Sequence, residues 1–400
     1  MTRSFVVAPL VVAAAGAVSP GWVEVVNATI TAVGTGELPA DRLVGAEVTR
    51  GALVLPGYVD LHMHGGGGYD VARSADDVIG AFAFHRAHGT TAGLASLMTA
   101  PVIELCAQLG RIADVIEAGQ APGLVGIHLE GPFLAASHCG AQDPRFLLPP
   151  DRSVLRRLLA AGRGQVRVVT LAPELPGALE LLDYLVAAGV VVAVGHTDAT
   201  YEQARVAFDR GASLVTHLFN AMRPLHHRDP GPAGAALDAG VACELINDGV
   251  HTHPAVAHLV GPDRLVLVTD AVSTAGAPDG EYLLGSLPVR VRDGEVRLIE
   301  SGALAGSTLT MGEAVRRLLA DSGFGSVAVA AASARRASAV LGMTGRRGSI
   351  APGFDADLVV LDRSGRPTRV MQAGVWVDRP GEAKPAGFDS PPPHRNPTLG

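Results

Sequence analysis

Two histidines two positions apart stand in the most informative stretch of the chain, DLHMHGGGG at residues 60–68. The stretch follows an apolar run at residues 53–59, which predicts a buried strand. Side chains two positions apart on a strand lie on the same face, so His62 and His64 point to one side where the strand ends. Imidazole nitrogens are common ligands of divalent metals, and the pair therefore predicts half of a metal site.

Apolar runs of strand length recur through the middle of the chain, and helical periodicity lies between many of them. The predicted strands are 53–64, 90–99, 124–131, 166–172, 190–196, 214–220, 241–251 and 265–271. The predicted helices include 76–88, 101–118, 152–161, 177–188 and 201–210. Repeated alternation of helices with continuously apolar strands predicts an α/β fold with a parallel (β/α)8 barrel, the TIM barrel.

Polar side chains interrupt the apolar runs near their carboxyl ends, where a (β/α)8 barrel carries its chemistry. They are His62, His64, Glu130, His196, His217, His251 and Asp270. The only lysine of the chain is Lys384, in a proline-rich tail, so no carbamylated lysine on a barrel strand can bridge two metals. An acidic residue has to take that place, and Glu130 is available at the end of the third predicted strand.

The two ends of the chain predict a second, smaller domain. Residues 22–25 and 29–34 alternate as short strands, and residues 348–362 predict a turn and a strand, with another strand near 374–377. We expect a small β-sandwich domain from residues 1–54 and 345–379, the barrel from 55–344, and a disordered tail at 380–400. An export signal is the alternative for the apolar N-terminus. Asp293-Gly294 between two short runs predicts a β-hairpin.

Composition limits the classes of function. The 400 residues suffice for one barrel and a smaller domain, and 48% of them are hydrophobic. A net charge of −7 without a basic tract argues against a nucleic acid partner. Turn-forming residues interrupt the apolar stretches, so no membrane span is predicted. The three cysteines lack a CxxC spacing, which is typical of a reduced cytoplasmic protein.

The motifs of residues 5–378 resemble those of the N-acetylglucosamine-6-phosphate deacetylases, in the amidohydrolase superfamily. They are PGYVDLHMHG at 56–65, HLEGPF at 128–133, GHT at 195–197, THLFNAM at 216–222, NDGVH at 247–251, VTDA at 268–271 and LAGS at 304–307. HLFNAM followed by Arg228 and DGVH is a pattern of the deacetylases rather than of the whole superfamily. The resemblance implies hydrolysis of N-acetyl-D-glucosamine 6-phosphate to D-glucosamine 6-phosphate and acetate, by a cytoplasmic homodimer in amino-sugar catabolism and cell-wall recycling.

The resemblance also implies roles for the residues at the strand ends. Glu130, His196 and His217 correspond to the main metal site of the family, while His62 and His64 offer a second metal that Glu130 would bridge. Some family members lack this histidine pair and work with one metal, so one or two divalent ions per subunit are both open. The nitrogen and carboxylate ligands suit Zn²⁺, which we favour, and also Fe²⁺, Mn²⁺ or Co²⁺.

Asp270 is by resemblance the general base, which takes a proton from the attacking water and returns it to the leaving amine. Arg228 is the implied phosphate contact, in its own site or in that of a neighbouring subunit. Gln142 stands where the family usually has a histidine, and Arg223 is expected to be a solvated loop charge. The implied substrate contacts besides Arg228 are Ala141, Gln142, Asn220, Ala221, Asp248, His251, Leu304, Ala305 and Gly306.

Two other classes of function fit parts of the pattern. One is a related hydrolase or deaminase acting on a cyclic amide or an N-acyl amino acid, against which Arg228 and the HLFNAM motif argue. The other is a catalytically silent scaffold protein, against which the complete set of metal ligands argues. The sequence leaves the epimer of the hexosamine open between glucosamine and galactosamine.

Overall fold

Eight parallel strands form one sheet whose order follows the chain. The computed structural model describes residues 2–38, 42–285, 287–321 and 323–377, so the predicted tail at 380–400 lies outside the described residues. The strands, numbered 1 to 8 below, are Tyr58–Asp60, Thr90–Leu97, Leu124–Glu130, Val166–Leu171, Val191–Val194, Leu214–Val215, Ala242–Ile246 and Leu265–Val268. Each predicted strand overlaps one of them, and the predicted (β/α)8 barrel is confirmed.

Strands 1 and 8 close the barrel through single contacts instead of a continuous ladder. The backbone N–H of Asp270 donates to the carbonyl oxygen of His62 at 2.8 Å. The hydroxyl of Thr269 donates to the buried carboxylate of Asp60 at 2.6 Å. Burial raises the pKa of Asp60 to about 6 in spite of this hydrogen bond. The seam therefore fixes the two chain segments that carry His62 and Asp270.

Helices cover the outside of the barrel. They are Ala75–Ala87, Val102–Glu117, Arg152–Ala161, Ala178–Ala187, Tyr201–Asp209, Gly231–Ala239, Ala255–Val260, Met311–Asp321, Ser326–Ala330 and Arg336–Val340, the last two joined by the π-helical turn Ala331–Arg335. The side chains of Ser74, Asp151 and Thr200 accept hydrogen bonds from first-turn amides and so begin three of the predicted helices. None of the helices in the described parts of the chain has the length and hydropathy needed to cross a bilayer.

Strands from both ends of the chain form two further sheets, which make the small β-domain. One sheet has the order Thr29–Thr35, Gly21–Val26, Arg3–Ala8 and Glu47–Arg50. The other has the order Val375–Val377, Pro367–Gln372, Leu358–Leu361, Leu53–Pro56, Leu10–Ala13 and Gly16–Val18. Apolar side chains of both sheets, such as Val6 and Leu358, form a core separate from that of the barrel. The apolar N-terminal stretch forms paired strands, as the strand interpretation predicts.

The prediction of one continuous strand over residues 53–64 is wrong. Leu53–Pro56 pairs with Leu358–Leu361 in the small domain, and the barrel strand begins only at Tyr58. Gly57 lies at the break, where a Cβ atom would overlap the side chain of Thr91. Glycine is therefore required where the chain crosses from one sheet to the other.

A four-stranded antiparallel sheet follows barrel strand 8, and we call it the inserted sheet. Its strands are Gly280–Leu284, Leu287–Arg292, Glu295–Leu298 and Leu304–Ser307. The predicted hairpin at Asp293-Gly294 is confirmed, and both residues have the positive φ angles, 51° and 82°, of a tight hairpin turn. An isolated bridge between Ala271 and Ser307 holds the inserted sheet against the end of strand 8.

Candidate active site

A cavity of about 230 Å³ lies at the carboxyl ends of the barrel strands. His64, Glu130, His196, His217 and Asp270 all line it. His62 lies beside them with no exposed surface. The structure thus brings together the predicted metal ligands and the predicted general base, although the ends of five different barrel strands supply them.

The first group of ligand atoms belongs to Glu130, His196 and His217. The Nε2 atoms of the two histidines lie 3.0 and 3.2 Å from Oε1 of Glu130 and 3.0 Å from each other. Nδ1 of His196 lies 2.9 Å from the carbonyl oxygen of His138, which can only accept a hydrogen bond. The proton of this ring therefore sits on Nδ1, and the lone pair on Nε2 faces Glu130.

The second group belongs to His62, His64 and Asp270. The Nε2 atoms of the histidines lie 3.0 Å apart, and Oδ1 of Asp270 lies 3.4 and 3.3 Å from them. Glu130 stands between the groups, with Oε1 3.5 Å from Nε2 of His62 and Oε2 3.4 Å from Nε2 of His64. Asp270, predicted only as a base, is therefore also within reach of a cation held by the histidine pair.

Both groups fit a divalent cation. Within each group the ligand atoms lie within 4.8 Å of one another in the described part of the chain. Nδ1 of His64 faces the carbonyl oxygen of Ser96 at 3.1 Å, so its Nε2 also carries a lone pair. Nε2 of His64 lies 3.0 Å from Nε2 of His62, and a positive charge between these nitrogens, a proton or a metal cation, removes the repulsion of their lone pairs. Imidazole nitrogens and carboxylate oxygens are the donor set of zinc and of similar divalent metals.

The electrostatics of the cluster favour positive charge among the carboxylates. Burial alone would lower the pKa of His62, but the Asp270 and Glu130 carboxylates outweigh it and hold that pKa well above its ordinary value. Burial is likewise outweighed at His64, whose pKa is raised to about 9 by hydrogen bonds to Asp270 and Glu130. In return, His62 and His196 overcome the effect of burial and hold the pKa of Glu130 well below its usual range. The pKa of Asp270 is lowered to about 2, against burial, by His62 and His64.

Three of these residues have left-handed backbone conformations. The φ angles of His196, His217 and Asp270 are 47°, 29° and 49°. Such conformations cost about 1–3 kcal/mol each for residues other than glycine, and they cluster at functional sites. Backbone hydrogen bonds hold them, for example from Leu218 N–H to the carbonyl oxygen of Glu244 at 2.8 Å. The fold thus accepts local strain to aim these side chains at one point.

A layer of buried polar side chains lies next to the ligand groups. Nδ1 of His128 lies 3.0 Å from the Ser96 hydroxyl and Nε2 lies 2.7 Å from the Thr170 hydroxyl. Burial holds the pKa of His128 well below its ordinary value, so this ring is neutral. Its ring centroid lies 4.6 Å from that of His62. His128 therefore packs against His62 from within the barrel.

Seven of the predicted substrate contacts line the cavity, namely Ala141, Gln142, Asn220, Ala221, His251, Leu304 and Gly306. Gln142 uses both ends of its side chain within the protein. Its Nε2 donates to Oε2 of Glu130 at 2.7 Å, and its Oε1 accepts from the backbone N–H of Thr99 at 2.7 Å. The residue that replaces the usual histidine therefore supports Glu130.

Three predicted substrate contacts do not line the cavity. Asp248 lies behind His251, with Oδ2 2.6 Å from Nδ1 of the imidazole. Ala305 is fully buried in the apolar core of the inserted sheet. Arg228 is exposed on the loop after strand 6, and its Nη1 lies 2.7 Å from Nε2 of His227. Within a single chain, the predicted phosphate contact thus lies outside the cavity.

Arg223, predicted to be a solvated loop charge, is a partly exposed loop residue that forms ion pairs. Its Nε donates to the carbonyl oxygen of Asp198 at 3.1 Å and to the carboxylate of the same residue at 3.2 Å. Its Nη1 donates to the carboxylate of Asp229 at 3.3 Å. The side chain is half-buried and ties the loop after strand 6 to the loop after strand 5.

Several residues at the site were not predicted. Met98, Gly140, Val272, Leu284 and Ala303 also line the cavity. Leu284 ends the first strand of the inserted sheet and Ala303 directly precedes its last strand, and nothing in their own sequence indicates that this sheet folds over the barrel. Glu244, a buried carboxylate beside His62, was also missed. An acidic residue within the apolar run of strand 7 is the signal that could have found it.

Comparison with known proteins places the chain in a family. The profile of the amidohydrolase family matches residues 53–377. An N-acetylgalactosamine-6-phosphate deacetylase of Escherichia coli O157:H7 is 40% identical over 332 residues, which cover 81% of this chain and 86% of that protein. The N-acetylglucosamine-6-phosphate deacetylase of Bacillus subtilis (strain 168) is 34% identical over 351 residues, which cover 85% of this chain and 88% of that protein.

A solved structure is similar over most of the chain. It is a mutant N-acetyl-D-glucosamine-6-phosphate deacetylase from Mycobacterium smegmatis in complex with N-acetyl-D-glucosamine-6-phosphate. The match has a TM-score of 0.89 and 42% identity, and it covers 94% of this chain and 100% of that chain. The chain therefore belongs to the amidohydrolase family, in the group that contains the N-acetylglucosamine- and N-acetylgalactosamine-6-phosphate deacetylases.

Proposed function

We propose that this protein is a metal-dependent deacetylase that hydrolyses N-acetyl-D-glucosamine 6-phosphate to D-glucosamine 6-phosphate and acetate. The observation that carries the proposal is the convergence of Glu130, His196 and His217 with Asp270 on one cavity. Relatives at 34% and 42% identity carry the name of this activity, and one of them has been solved with this sugar phosphate bound.

In this proposal Glu130, His196 and His217 hold one divalent cation, and His62 and His64 hold a second with help from the acidic residues between the groups. A cation bound there supplies Lewis acidity, which polarises the amide carbonyl and makes water a better nucleophile at neutral pH. The donor set supports Zn²⁺ as the favoured ion, and Fe²⁺, Mn²⁺ or Co²⁺ fit the same donors.

Asp270 moves the proton. Its low pKa keeps the carboxylate ionised at neutral pH, so it can accept one proton from water as the water oxygen bonds to the acetamide carbon. When the C–N bond then breaks, the electron pair leaves with nitrogen, and Asp270 gives the proton to that nitrogen. The immediate products are acetic acid and the free amine, which become acetate and the ammonium form at neutral pH when the acid gives up its proton, and the carboxylate of Asp270 is restored.

Two walls of the cavity would orient the sugar. Asn220, the backbone of Ala221 and His251 line the cavity and offer polar contacts. Although burial opposes protonation, the hydrogen bond to Asp248 raises the pKa of His251, which favours a cationic ring beside an anionic substrate. Leu304 borders the same space and would face the acetyl group, by similarity to the family.

The phosphate contact of the proposal is Arg228 of a second subunit in a homodimer. The side chain is exposed and lies outside the cavity of its own chain, which supports a role at a neighbouring site. A guanidinium can bind phosphate through paired hydrogen bonds. The proposed location is the cytoplasm, since all three cysteines are free thiols.

Parallel kinetics on four substrates test the proposal. They are N-acetylglucosamine 6-phosphate, N-acetylgalactosamine 6-phosphate, unphosphorylated N-acetylglucosamine and an N-acetyl amino acid. We expect the highest kcat/KM for the first. The galactosamine epimer is the second candidate, because the relative at 40% identity carries its name. A higher kcat/KM for the N-acetyl amino acid than for both sugar phosphates would contradict the proposal.

A further inference from the structure

Barrel strand 7, Ala242–Ile246, carries one acidic residue in an apolar run. This residue, Glu244, has no exposed surface. Removing a carboxylate from water is costly unless charges or hydrogen bonds compensate for it. The contacts of Glu244 therefore have to explain why the barrel retains a charge at this depth.

Glu244 contacts one residue from each ligand group through a single oxygen. Its Oε2 lies 3.2 Å from Nδ1 of His62, which donates to it. The same oxygen accepts from the backbone N–H of His217 at 3.3 Å. Its Oε1 has no hydrogen-bond partner among the described residues. The hydrogen bonds of this carboxylate are thus directed at residues proposed to hold metal.

The hydrogen bond between Glu244 and His62 determines which ring nitrogen of His62 carries the lone pair. A carboxylate only accepts hydrogen bonds, so the His62 proton sits on Nδ1 and the lone pair on Nε2 points toward His64 and Asp270. His64 and His196 are oriented in the same way by neutral backbone carbonyls. Only His62, of the four histidines, has a carboxylate behind its Nδ1 in the described residues. A carboxylate in that position raises the basicity of the ligand more than a carbonyl does.

We propose that Glu244 is a positioning residue that strengthens metal binding by His62 and His64 and supports the backbone that carries His217. With Glu130 and Asp270 it brings three buried carboxylates to the cluster, more negative charge than one divalent cation offsets. The inference rests on the proposed function, because it assumes that the histidine pair holds a second metal.

The test is a titration of metal-free full-length protein with Zn²⁺, in which calorimetry and competition with a chelator measure the affinities. Wild type is expected to bind two ions per chain. Glu244→Gln removes the charge at nearly the same side-chain volume, and we expect it to lower the affinity for the second ion, at His62 and His64, about 10-fold. Glu244→Ala is expected to lower the same affinity by up to about 100-fold. The affinity for the first ion should change much less, because within the first ligand group Glu244 contacts only the backbone of His217.

Thr170→Val is the matched control. Thr170 is fully buried and bonds to the side chains of His128 and Thr216, but it contacts neither His62 nor His217 by hydrogen bond. Its substitution perturbs the same polar layer and should leave both affinities unchanged. Circular dichroism and Tm of the metal-free proteins report whether each variant folds.

The outcomes separate the inference from the proposed function. Wild-type binding of two ions, with unchanged affinities in both folded Glu244 variants, overturns the role of Glu244 alone. Equal losses at both sites together with a lower Tm also overturn it, because they indicate a packing role. If Glu244→Ala does not fold, Glu244→Gln decides. Failure of wild type to bind any ion would instead overturn the proposed metal-dependent function.

Discussion

Replacing Asp270 by asparagine separates its chemistry from its place in the fold. Asp270 has a left-handed φ of 49°, which asparagine tolerates about as well as aspartate, so the backbone should keep its path. Asparagine has nearly the same shape but cannot accept a proton at neutral pH. Its amide is also a poorer ligand than the carboxylate, whose Oδ1 lies 3.4 and 3.3 Å from Nε2 of His62 and His64.

The expected loss follows from general base catalysis. Proton transfer by a positioned side chain is worth about 10²–10⁴-fold, which corresponds to roughly 2.7–5.5 kcal/mol of transition-state stabilisation. We expect Asp270→Asn to lower kcat by this factor and to leave KM much less changed. The ion held by Glu130, His196 and His217 should stay bound, while the ion at the histidine pair should bind more weakly.

The assay is release of acetate from N-acetylglucosamine 6-phosphate, with metal content measured on the same sample. Asp248→Asn is the matched control, because Asp248 reaches the cavity only through His251. It should raise KM while kcat stays largely intact. If Asp270→Asn retains activity within about tenfold of wild type at equal metal content, Asp270 is not the general base.

Three further predictions concern the metals, the phosphate and pH. Replacing both His62 and His64 by alanine should remove at most one metal ion per chain, as measured by elemental analysis. Loss of all metal would show that the histidine pair belongs to the primary site. Arg228→Ala should lower kcat/KM for the phosphorylated sugar by about 10- to 100-fold, since hydrogen bonds to charged groups contribute roughly 1.5–3 kcal/mol. Equal losses on unphosphorylated N-acetylglucosamine would indicate that Arg228 supports the loop instead. The folded-state pKa of His251 is raised, so its pairing with Asp248 stabilises the fold fully below about pH 6.5 and the contribution is lost as pH rises through the raised pKa. The difference in Tm between wild type and His251→Gln should therefore shrink toward alkaline pH, and a constant difference would contradict the ion pair.

The barrel could be predicted from the sequence because its strands are apolar on both faces and helical sequence lies between many of them. The five predicted helices match the structure within one residue at each end. That the site residues lie close together could be predicted from the same strand pattern. His62, Glu130 and Asp270 lie far apart in sequence, but parallel strands bring their carboxyl ends to one rim.

The features that could not be predicted depend on contacts between distant segments. Gly57 breaks the first strand because of Thr91. Pro56-Gly57 is a local turn signal, but the pairing of residues 53–56 with the distant strand 358–361 cannot be read from it. Arg223 was expected in solvent because its acceptors, Asp198 and Asp229, are recognisable only once two loops are placed side by side. Ala305 alternates with its neighbours on a strand, and the face that it presents depends on how the inserted sheet folds over.

The most direct test of the deacetylase proposal is acetate release from N-acetylglucosamine 6-phosphate by protein whose metal content is known. We predict turnover with glucosamine 6-phosphate as the second product, its loss when a chelator removes the ions, and its return when Zn²⁺ or another divalent ion is added back. Turnover that persists in metal-free protein, or no turnover in protein with both ligand groups loaded, would contradict the proposal.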